Sequence, residues 1–303
     1  MEFYEKGNKI MKSAIIILNY NSEQDTIRFV NEIKDFKSLD KIIVVDNLSP
    51  NDDFENLKAL ENDKIDVIKS ERNGGYSYGN NYGIKHMESL NDTYDYVIIS
   101  NPDIHIEEDA IKTTLEFLEK NEKAAIAAPK MLNKEKKPIR RSAWKIRTPG
   151  IDMINSTRTT QILLHPFFKR GEYSETDYTR DVLLVEAISG AFFAIKYDIF
   201  KEIGFFDENV FLFYEEDILA SKVKKAGYKI YSLNNVNFEH FESNSINKAL
   251  SYYNKMKRLQ VSKMYYQKTY NNINGFQNVI FIILNFWKRV ELFIEIPIRK
   301  LLS

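Results

Sequence analysis

The first half of the chain alternates short apolar runs with amphipathic stretches, and this pattern predicts strands separated by helices. The predicted strands are Ala14–Leu18, Lys41–Val45, Ile65–Lys69, Tyr94–Ser100 and Ala124–Ala128. The predicted helices between them are Ser22–Phe36, Phe54–Leu60, Ser77–Leu90 and Glu107–Asn121. Ser22 and Asp25 are placed to form a capping box at the start of the first helix. This alternation indicates a parallel sheet with right-handed crossovers, and therefore an α/β fold.

The pattern weakens in the middle of the chain and returns near residue 181. Residues 130–180 lose the alternation and gain charge, which is typical of an inserted loop or hairpin region. After this insertion we expect a strand over Val182–Ile195, followed by helices over Tyr197–Ile203, Glu215–Ala226 and Ser245–Tyr270. We therefore expect a main domain over residues 1–245, with 130–180 inserted, and a C-terminal helical extension over residues 246–303.

Polar residues follow the predicted strands at the point where each strand ends. They are Asn19, Tyr20, Asn21, Asp46, Asn47, Arg72, Asn73, Asn101 and Asp103. Because ligands of open parallel sheets bind beyond the carboxyl ends of the strands, we expect these side chains to gather on one rim. Four glycines between residues 74 and 83 would let the backbone approach a ligand closely, or would serve only as a turn.

Two of these rim acids have both a structural and a functional interpretation. Asp46 suits an Asx turn, or it accepts hydrogen bonds from a nucleotide base or ribose. Asp103 suits a turn that caps the next helix, or it binds Mg²⁺ or Mn²⁺ together with substrate phosphates. The sequence pattern leaves both choices open.

A third group of acids follows the aromatic stretch Phe211–Tyr214. Glu215, Glu216 and Asp217 open a predicted helix, where the helix dipole favours acids, so a solvated first turn is one interpretation. Carboxylates gathered against apolar walls raise one another's pKa, which suits a general base and is the other interpretation. His240 follows a further strand end and is either a structural histidine or part of this chemistry.

Composition narrows the class of protein. The 303 residues contain no cysteine, which excludes disulfides, thiolate metal sites and a cysteine nucleophile. The net charge is zero, but the residues from Lys255 to the end carry nine Lys and Arg against Glu291 and Glu295. This basic, aromatic tail favours an anionic surface as partner, and nucleic acid is not expected because no basic groove motif accompanies it.

The last segment, Phe276–Ser303, is apolar but interrupted by charges. No run approaches the ~20 apolar residues needed to span a bilayer. We expect a helix that lies in the membrane interface, with basic residues on anionic headgroups. The alternative is that this segment packs on the main domain or forms a homodimer interface. The membrane interpretation predicts a cytoplasmic protein that is peripheral at the cytoplasmic face of the cell membrane.

The chain resembles the family 2 glycosyltransferases and, within them, the rhamnosyltransferase-like bacterial branch. The resemblance runs from about Ser13 to Tyr270 and is poor over residues 130–180. It rests on six segments in the family's order: ILNYN, VVDNLSPND, RNGGYSYGNNYGI, SNPD, VEAISGAFFAIKYDIFKEIGFFDENVFLFYEED and AGY. It implies a glycosyltransferase-A fold, which is a Rossmann-like, mostly parallel central sheet flanked by helices, here with the C-terminal helical extension.

The resemblance also implies roles for individual residues. The donor nucleotide sugar would be bound by Asn19, Tyr20, Asn21, Asp46, Arg72, Asn73, Gly75 and Asn101. Asp103 ends the family's Asp-x-Asp metal motif, and His240 would lie near the metal and the diphosphate. Counting back from Ala226-Gly227 assigns the general base to Glu216, with Glu215 and Asp217 as alternatives.

The implied activity is an inverting, metal-dependent transfer that uses Mg²⁺ or Mn²⁺ in cell-surface polysaccharide synthesis. Rhamnose or a hexose would move from a dTDP- or UDP-linked donor to a hydroxyl of a glycan acceptor, which family context suggests is linked to a lipid diphosphate. Basic residues of the insertion, including Arg140, Arg141, Lys145 and Arg147, either contact that acceptor or belong to a solvated hairpin. The alternatives are a nucleotide-sugar-binding scaffold without turnover and, less suited to this length, a phospho-acceptor receiver domain.

Overall fold

The structure is a computed structural model that describes residues 11–139, 142–168, 171–174, 176–241 and 252–302, with only the backbone described for 297–302. The strands are β1 Ser13–Asn19, β2 Lys41–Asp46, β3 Ile65–Lys69, β4 Tyr96–Ser100, β5 Ile104–Ile106, β6 Ala124–Leu132, β7 Ala143–Trp144, β8 Val182–Val185, β9 Ala187–Ile188, β10 Phe192–Lys196 and β11 Lys229–His240. The helices are α1 Glu23–Ile33, α2 Phe54–Lys58, α3 Gly75–Ser89, α4 Glu108–Lys120, α5 Pro149–Asn155, α6 Arg158–Leu164, α7 Tyr197–Glu202, α8 Glu215–Lys225, α9 Tyr252–Thr269 and α10 Gly275–Leu302.

A mixed, mostly parallel sheet forms the centre of the molecule, as predicted. Its order is β3-β2-β1-β4-β10-β6-β11-β5, and β8 also pairs with β11. The strands β3, β2, β1 and β4 run parallel, whereas β10 runs antiparallel to both of its neighbours. The carboxyl ends of β1, β2 and β4 therefore share one edge.

The sheet separates two apolar cores because successive strand residues point to opposite faces. Ile15 and Ile17 pack with α1 and α4 on one face, where Phe29 and Leu115 are buried. Ile16 packs on the other face with residues of α3, α7 and α8. The result is a three-layer α/β domain whose central strands are buried on both faces.

The domain departs from the sequence prediction in three places, two of them in its second half. The single strand expected over Val182–Ile195 is three strands, because the chain turns between β8 and β9 and again before β10. The insertion is not only a loop, since it contains α5, α6 and β7. Ser22 precedes α1 but makes no side-chain capping bond, and its hydroxyl donates to the carbonyl of Tyr20 at 3.2 Å instead.

The two C-terminal helices pack on the domain. Tyr266 of α9 is fully buried in the second core, and the Ser262 hydroxyl donates to the carbonyl of Leu212 at 2.8 Å. In α10, Phe281 and Leu292 are buried. Among the described residues, no helix combines the length and hydropathy needed to cross a membrane. The domain boundary at residue 245 stays a prediction, and it falls outside the described residues.

Candidate active site

The carboxyl ends of β1 and β2 place Asn19 and Asp46 side by side. The Asn19 amide donates to Asp46 Oδ1 at 3.0 Å and to Asp52 Oδ2 at 2.9 Å, and its own oxygen accepts from the Thr26 hydroxyl at 2.8 Å. Asp46 also accepts from the backbone N–H of Ser49 at 3.3 Å. Asn19 is fully buried and its polar atoms are used internally, so its direct contribution is to fix the two acids.

Tyr20 and Asn21 begin the loop that leaves β1, and both are half-buried. Asn21 has a φ of 52°, and its backbone N–H donates to the Ser49 hydroxyl at 3.0 Å. Its side-chain oxygen accepts from the N–H of Asn51 at 3.3 Å. The loop after β1 is thereby tied to the loop after β2, and both border the same edge of the sheet.

The loop before α3 joins this edge through Asn47. The Asn47 amide donates to Asn73 Oδ1 at 3.3 Å and to the carbonyl of Gly75 at 3.1 Å. The guanidinium of Arg72, an exposed residue, lies 4.5 Å from the centre of the Tyr78 ring. Asp46, Arg72 and Asn73 therefore lie around one shared rim, as the positions of the strand ends predict.

Gly75 has a packing function that its sequence pattern does not reveal. Its φ is +86°, and a Cβ at this position would lie 1.9 Å from the carbonyl oxygen of Phe211. The next residue, Tyr76, donates its N–H to the same carbonyl at 3.1 Å. The chain runs from Phe211 into Glu215, Glu216 and Asp217, which form the acid cluster. This close contact therefore joins the acid cluster to the rim formed by Asn19, Asp46, Arg72 and Asn73, which is the donor edge.

Asp103 and His240 come together although they are far apart in the sequence. The antiparallel pairing of β5 with β11 sets His240 opposite Ile104, next to Asp103. His240 Nε2 lies 3.3 Å from Asp103 Oδ1. The Asp103 carbonyl accepts from the N–H of Phe241 at 2.9 Å. The two side chains predicted to lie at the metal are thus neighbours at the end of β4.

Arg28 of α1 was not among the sequence candidates, and it fixes the turn that carries Asp103. Its guanidinium donates to the carbonyls of Pro102 at 3.1 Å and Ile104 at 3.0 Å. It also lies 5.0 Å from the centre of the Phe241 ring. Only the tertiary structure brings Arg28 to these carbonyls, so the sequence carries no signal for it.

The N-terminus of α8 holds three acids in different surroundings. Asp217 is 1% exposed and accepts from Trp144 Nε1 at 3.1 Å, and Arg147 Nε lies 3.2 Å from its other oxygen. Burial raises the pKa of Asp217 to about 7, even though the Arg147 charge lowers it. Asp217 is therefore enclosed, and its contacts connect α8 to the insertion.

Glu215 and Glu216 form no ion pair within 4.0 Å among the described residues. Glu215 is 7% exposed, and its Oε2 has no hydrogen-bond partner among the described residues. Glu216 is half-buried and its Oε1 accepts from the N–H of Gly190 at 3.4 Å. Burial raises the pKa of both carboxyls, and the charge of Glu216 raises that of Glu215 further. Raised carboxyl pKa values are what a general base near neutral pH requires.

The turn at Gly190 connects the acid cluster to the turn of Asp103. Gly190 donates to Glu216, while the adjacent Ala191 carbonyl accepts from the N–H of Asn101 at 2.8 Å. The Tyr76 hydroxyl donates to the Gly190 carbonyl at 2.7 Å. The backbone of Asn101 is thus linked to Glu216 through the adjacent residues Gly190 and Ala191.

Asp103 and His240 fit a divalent ion that is bound partly by substrate. One carboxylate and one imidazole are adjacent, and Mg²⁺ is commonly held by one or two carboxylates with substrate phosphates completing the shell. The described parts of the chain contain no group of three or more His, Cys, Asp or Glu suited to a metal. The residues present therefore suit an ion that arrives with a diphosphate, and not an all-protein metal site.

Comparison with known proteins shows what the chain is similar to. The model of the family Glycosyl transferase family 2 matches residues 14–204. The low-salt glycan biosynthesis hexosyltransferase Agl10 of Haloferax volcanii is 29% identical over 218 residues. That alignment covers 72% of this chain and 63% of the relative, so the chain spans less than two thirds of that protein's length.

Solved structures share the fold at low identity. GalNAc-T7 with UDP, GalNAc and Mn²⁺ superposes with a TM-score of 0.57 at 15% identity, covering 77% of this chain and 44% of its own. The mannosyltransferase PcManGT of Pyrobaculum calidifontis, in complex with GDP-Man and Mn²⁺, gives 0.53 at 13%, covering 91% and 74%. TarS of S. aureus gives 0.50 at 16%, covering 88% and 74%. The chain therefore has the glycosyltransferase-A fold and belongs to glycosyltransferase family 2.

Proposed function

We propose that the protein is an inverting, metal-dependent glycosyltransferase that moves rhamnose or a hexose from a UDP- or dTDP-linked donor to a hydroxyl of a glycan acceptor. The observation that carries this proposal is the turn at Gly190 and Ala191, which bonds Glu216 on one side and Asn101 on the other. A base and a diphosphate-binding turn held next to each other suit the displacement of a nucleoside diphosphate by a hydroxyl.

The donor edge binds the nucleotide in this proposal. Asp46 offers carboxylate oxygens to the ribose or base, and Arg72 and Asn73 border the same rim. Because Asn19 and Asp52 already hold this edge, little ordering remains to be done when the donor binds. Asn101 and Asp103 then face the diphosphate.

A divalent ion, when bound by Asp103 and His240, would stabilise the charge that develops on the departing diphosphate. Glu216 accepts the proton of the acceptor hydroxyl, and Gly190 orients its carboxylate by the hydrogen bond to Oε1. Attack from the face opposite the diphosphate inverts the anomeric carbon. Glu215 is the second candidate for the base, because its Oε2 is buried without a partner among the described residues.

We also infer that the acceptor is linked to a lipid diphosphate and that the protein works at the cytoplasmic face of the membrane. One side of α10 supports this inference, since it exposes a regular apolar stripe. The stripe, defined here by its exposed members, is Phe276, Val279, Ile283, Phe286 and Phe293. Lys288 and Arg289 lie in the same helix. The alternative is that two copies of the chain associate through this stripe.

Turnover of donor in the absence of an acceptor tests the proposal. Thermal stabilisation by a panel of nucleotide sugars with Mn²⁺ should select one nucleotide, and that donor should be hydrolysed slowly. In NMR spectra the sugar first released should have the opposite anomeric configuration to the donor. Stabilisation without hydrolysis, with or without acceptor extract, would favour a scaffold protein, and retained configuration would overturn the inverting mechanism.

A further inference from the structure

A cavity of about 860 Å³ lies between the inserted helices and the C-terminal helices. Its wall is formed by residues of α5, α6, α9 and α10, together with Arg147 and Tyr214. None of the donor-edge residues lines it. Arg147 and Tyr214 instead lie directly behind the acid cluster, because Arg147 pairs with Asp217 and Tyr214 precedes Glu215. The cavity therefore adjoins the acid cluster and shares no lining residue with the donor edge.

The cavity wall carries four cationic side chains and two carboxylates. The cations are Arg147, Arg158, Lys263 and Lys288, and the carboxylates are Asp152 and Glu295. Lys288 lies 3.0 Å from Glu295 and 3.3 Å from Glu291, and Arg147 lies 3.2 Å from Asp217. Lys288 and Arg147 are therefore each paired with a carboxylate, either from the cavity wall or from a residue next to it.

The Lys263 ammonium and the Arg158 guanidinium form no ion pair within 4.0 Å in the part of the chain that the structure describes, although the Arg158 backbone N–H donates to Glu291 Oε2 at 2.8 Å. Lys263 is 6% exposed, and its ammonium donates to the Ser156 hydroxyl at 2.9 Å. A buried ammonium without a close ion-pair partner is costly to keep charged, so such a group either loses its proton or receives an anion. Burial lowers the pKa of Lys263 to about 8, the charges of Arg147 and Lys288 lower it as well, and that of Asp152 raises it.

The two carboxylates of the wall are held by their own donors. Asp152 Oδ2 accepts from the Tyr214 hydroxyl at 2.9 Å and from Gln267 at 2.5 Å. Glu295 accepts from Lys288 and from the Tyr252 hydroxyl at 3.1 Å. Glu295 is therefore paired with Lys288, while Asp152 is held by two neutral donors on Oδ2 and has Arg147 3.9 Å from Oδ1.

We propose that this cavity binds a phosphate or diphosphate group, at a site separate from the donor edge. Lys263 supplies a buried point charge, and Arg158 at the rim supplies a planar guanidinium that matches phosphate oxygens. That this anion belongs to the acceptor rests on the proposed function. The surroundings fit an amphiphilic anion, because the exposed side chains of Ile162, Leu163 and Trp287 adjoin Arg158, and Trp287 Nε1 donates to Thr159 at 3.0 Å.

Calorimetric titration of the full-length protein without divalent metal tests the site with two probes, inorganic pyrophosphate and farnesyl diphosphate. We expect binding that Lys263→Met and Arg158→Gln each weaken roughly tenfold or more, since a hydrogen bond to a charged group contributes about 1.5–3 kcal/mol. The matched controls Lys268→Met on α9 and Arg180→Gln, both exposed in the protein, should bind like the wild type. Arg158 is exposed too, so its variant keeps the test valid if Lys263→Met fails to fold.

The two probes and one donor-site variant distinguish the outcomes. Tighter binding of farnesyl diphosphate than of pyrophosphate supports a lipid-borne anion, and equal affinities support a soluble one. Asp103→Ala should leave this binding intact. No binding of either probe, or binding that is lost in Asp103→Ala and kept in Arg158→Gln, would overturn the proposal. Absence of sugar transfer with intact anion binding would refute the proposed function and leave this site standing.

Discussion

The donor edge and the acid side of the molecule differ in how their buried charges are satisfied. At the donor edge, Asp46 receives the Asn19 amide and the N–H of Ser49, so its carboxylate is held before any ligand binds. On the acid side, Glu215 Oε2 and Asp152 Oδ1 lack hydrogen-bond partners among the described residues, and the buried Lys263 ammonium forms no ion pair within 4.0 Å there. The Asp46 carboxylate is therefore hydrogen-bonded within the fold, whereas the acid side has buried polar atoms that a bound substrate can satisfy.

This difference matches the role that we propose for each region. A binding edge gains affinity from being ordered in advance, because less freedom is lost on binding. A general base must instead keep its proton affinity near the working pH, and burial without full pairing provides that. The comparison can therefore be tested by changing single residues on each side, and by measuring binding and turnover separately.

The largest effect is expected at the turn that carries Asp103, which is bonded to the connecting turn at Gly190 and Ala191. Asp103→Ala should lower turnover by roughly 10³-fold, because metal stabilisation of a leaving group contributes several kcal/mol. It should also abolish the Mg²⁺- or Mn²⁺-dependent part of nucleoside diphosphate binding in calorimetry. Asp109→Ala, an exposed acid of α4, is the matched control. Full activity of the Asp103 variant, or of wild-type protein in excess chelator, would exclude a metal role for this turn.

A smaller effect, confined to turnover, is expected on the acid side. Glu216→Gln should lower kcat by roughly 10²-fold or more while the donor Kd stays unchanged, since general bases contribute about that much. Glu215→Gln and Asp217→Asn are the isosteric comparisons. If Glu215→Gln is the inactive variant, the base is the carboxylate with the unpartnered Oε2. Equal loss in all three would mean that the cluster acts structurally.

The pH dependence should show the raised pKa of the base. Protonated Glu216 cannot accept a proton, so kcat should rise with pH as this carboxyl ionises. Because burial raises its pKa, the acid limb should lie above the ordinary value of 4.5. The residual rate of Glu216→Gln should lack this limb. A wild-type limb at or below 4.5 would contradict the assignment of a buried base.

The contact between the two regions predicts a stability difference between two glycines. Gly75→Ala places a Cβ at φ +86° against the Phe211 carbonyl, so unfolding free energy should fall by about 1–3 kcal/mol. Gly150→Ala in α5 meets nothing within 4 Å and should be neutral or stabilising by up to ~1 kcal/mol. Urea unfolding of both variants measures this. Equal stabilities would show that the Gly75 contact is dispensable.

The smallest expected effect concerns the membrane. Replacing Phe286 of the α10 stripe by Ser should lower the affinity for anionic vesicles, measured by sedimentation, by ~10-fold or more, because one buried Phe contributes about 1.5–3 kcal/mol. Val261→Ser, exposed on α9, is the control. Substitution is preferable to truncation after Asn274, which would also remove the buried Phe281 and Leu292. Unchanged vesicle binding with a lost dimer in light scattering would assign the stripe to a second copy.

Part of the predicted acceptor region lies outside the described residues. This holds for Arg140 and Arg141, and also for the start of the helix expected from Ser245. Lys145 and Arg147 are described, and Arg147 is engaged by Asp217. The sugar, the nucleotide and the rhamnosyltransferase-like branch remain proposals. They depend on the shape of the donor site around the sugar, which the family's sequence segments do not encode.

The sequence by itself determined the five predicted strands of the first half, the rim and the identity of the polar residues at those strand ends. These features are local, because apolar periodicity and chain direction fix where each strand stops and which side chains come directly after it. Tertiary structure decided which distant residues meet. It set His240 against Asp103 through the β5–β11 pairing, brought Arg28 to the Pro102 and Ile104 carbonyls, and enclosed Asp217 while leaving Glu215 and Glu216 incompletely paired. The environment of a carboxylate, and so its pKa, depends on packing across the whole fold, which no local pattern contains.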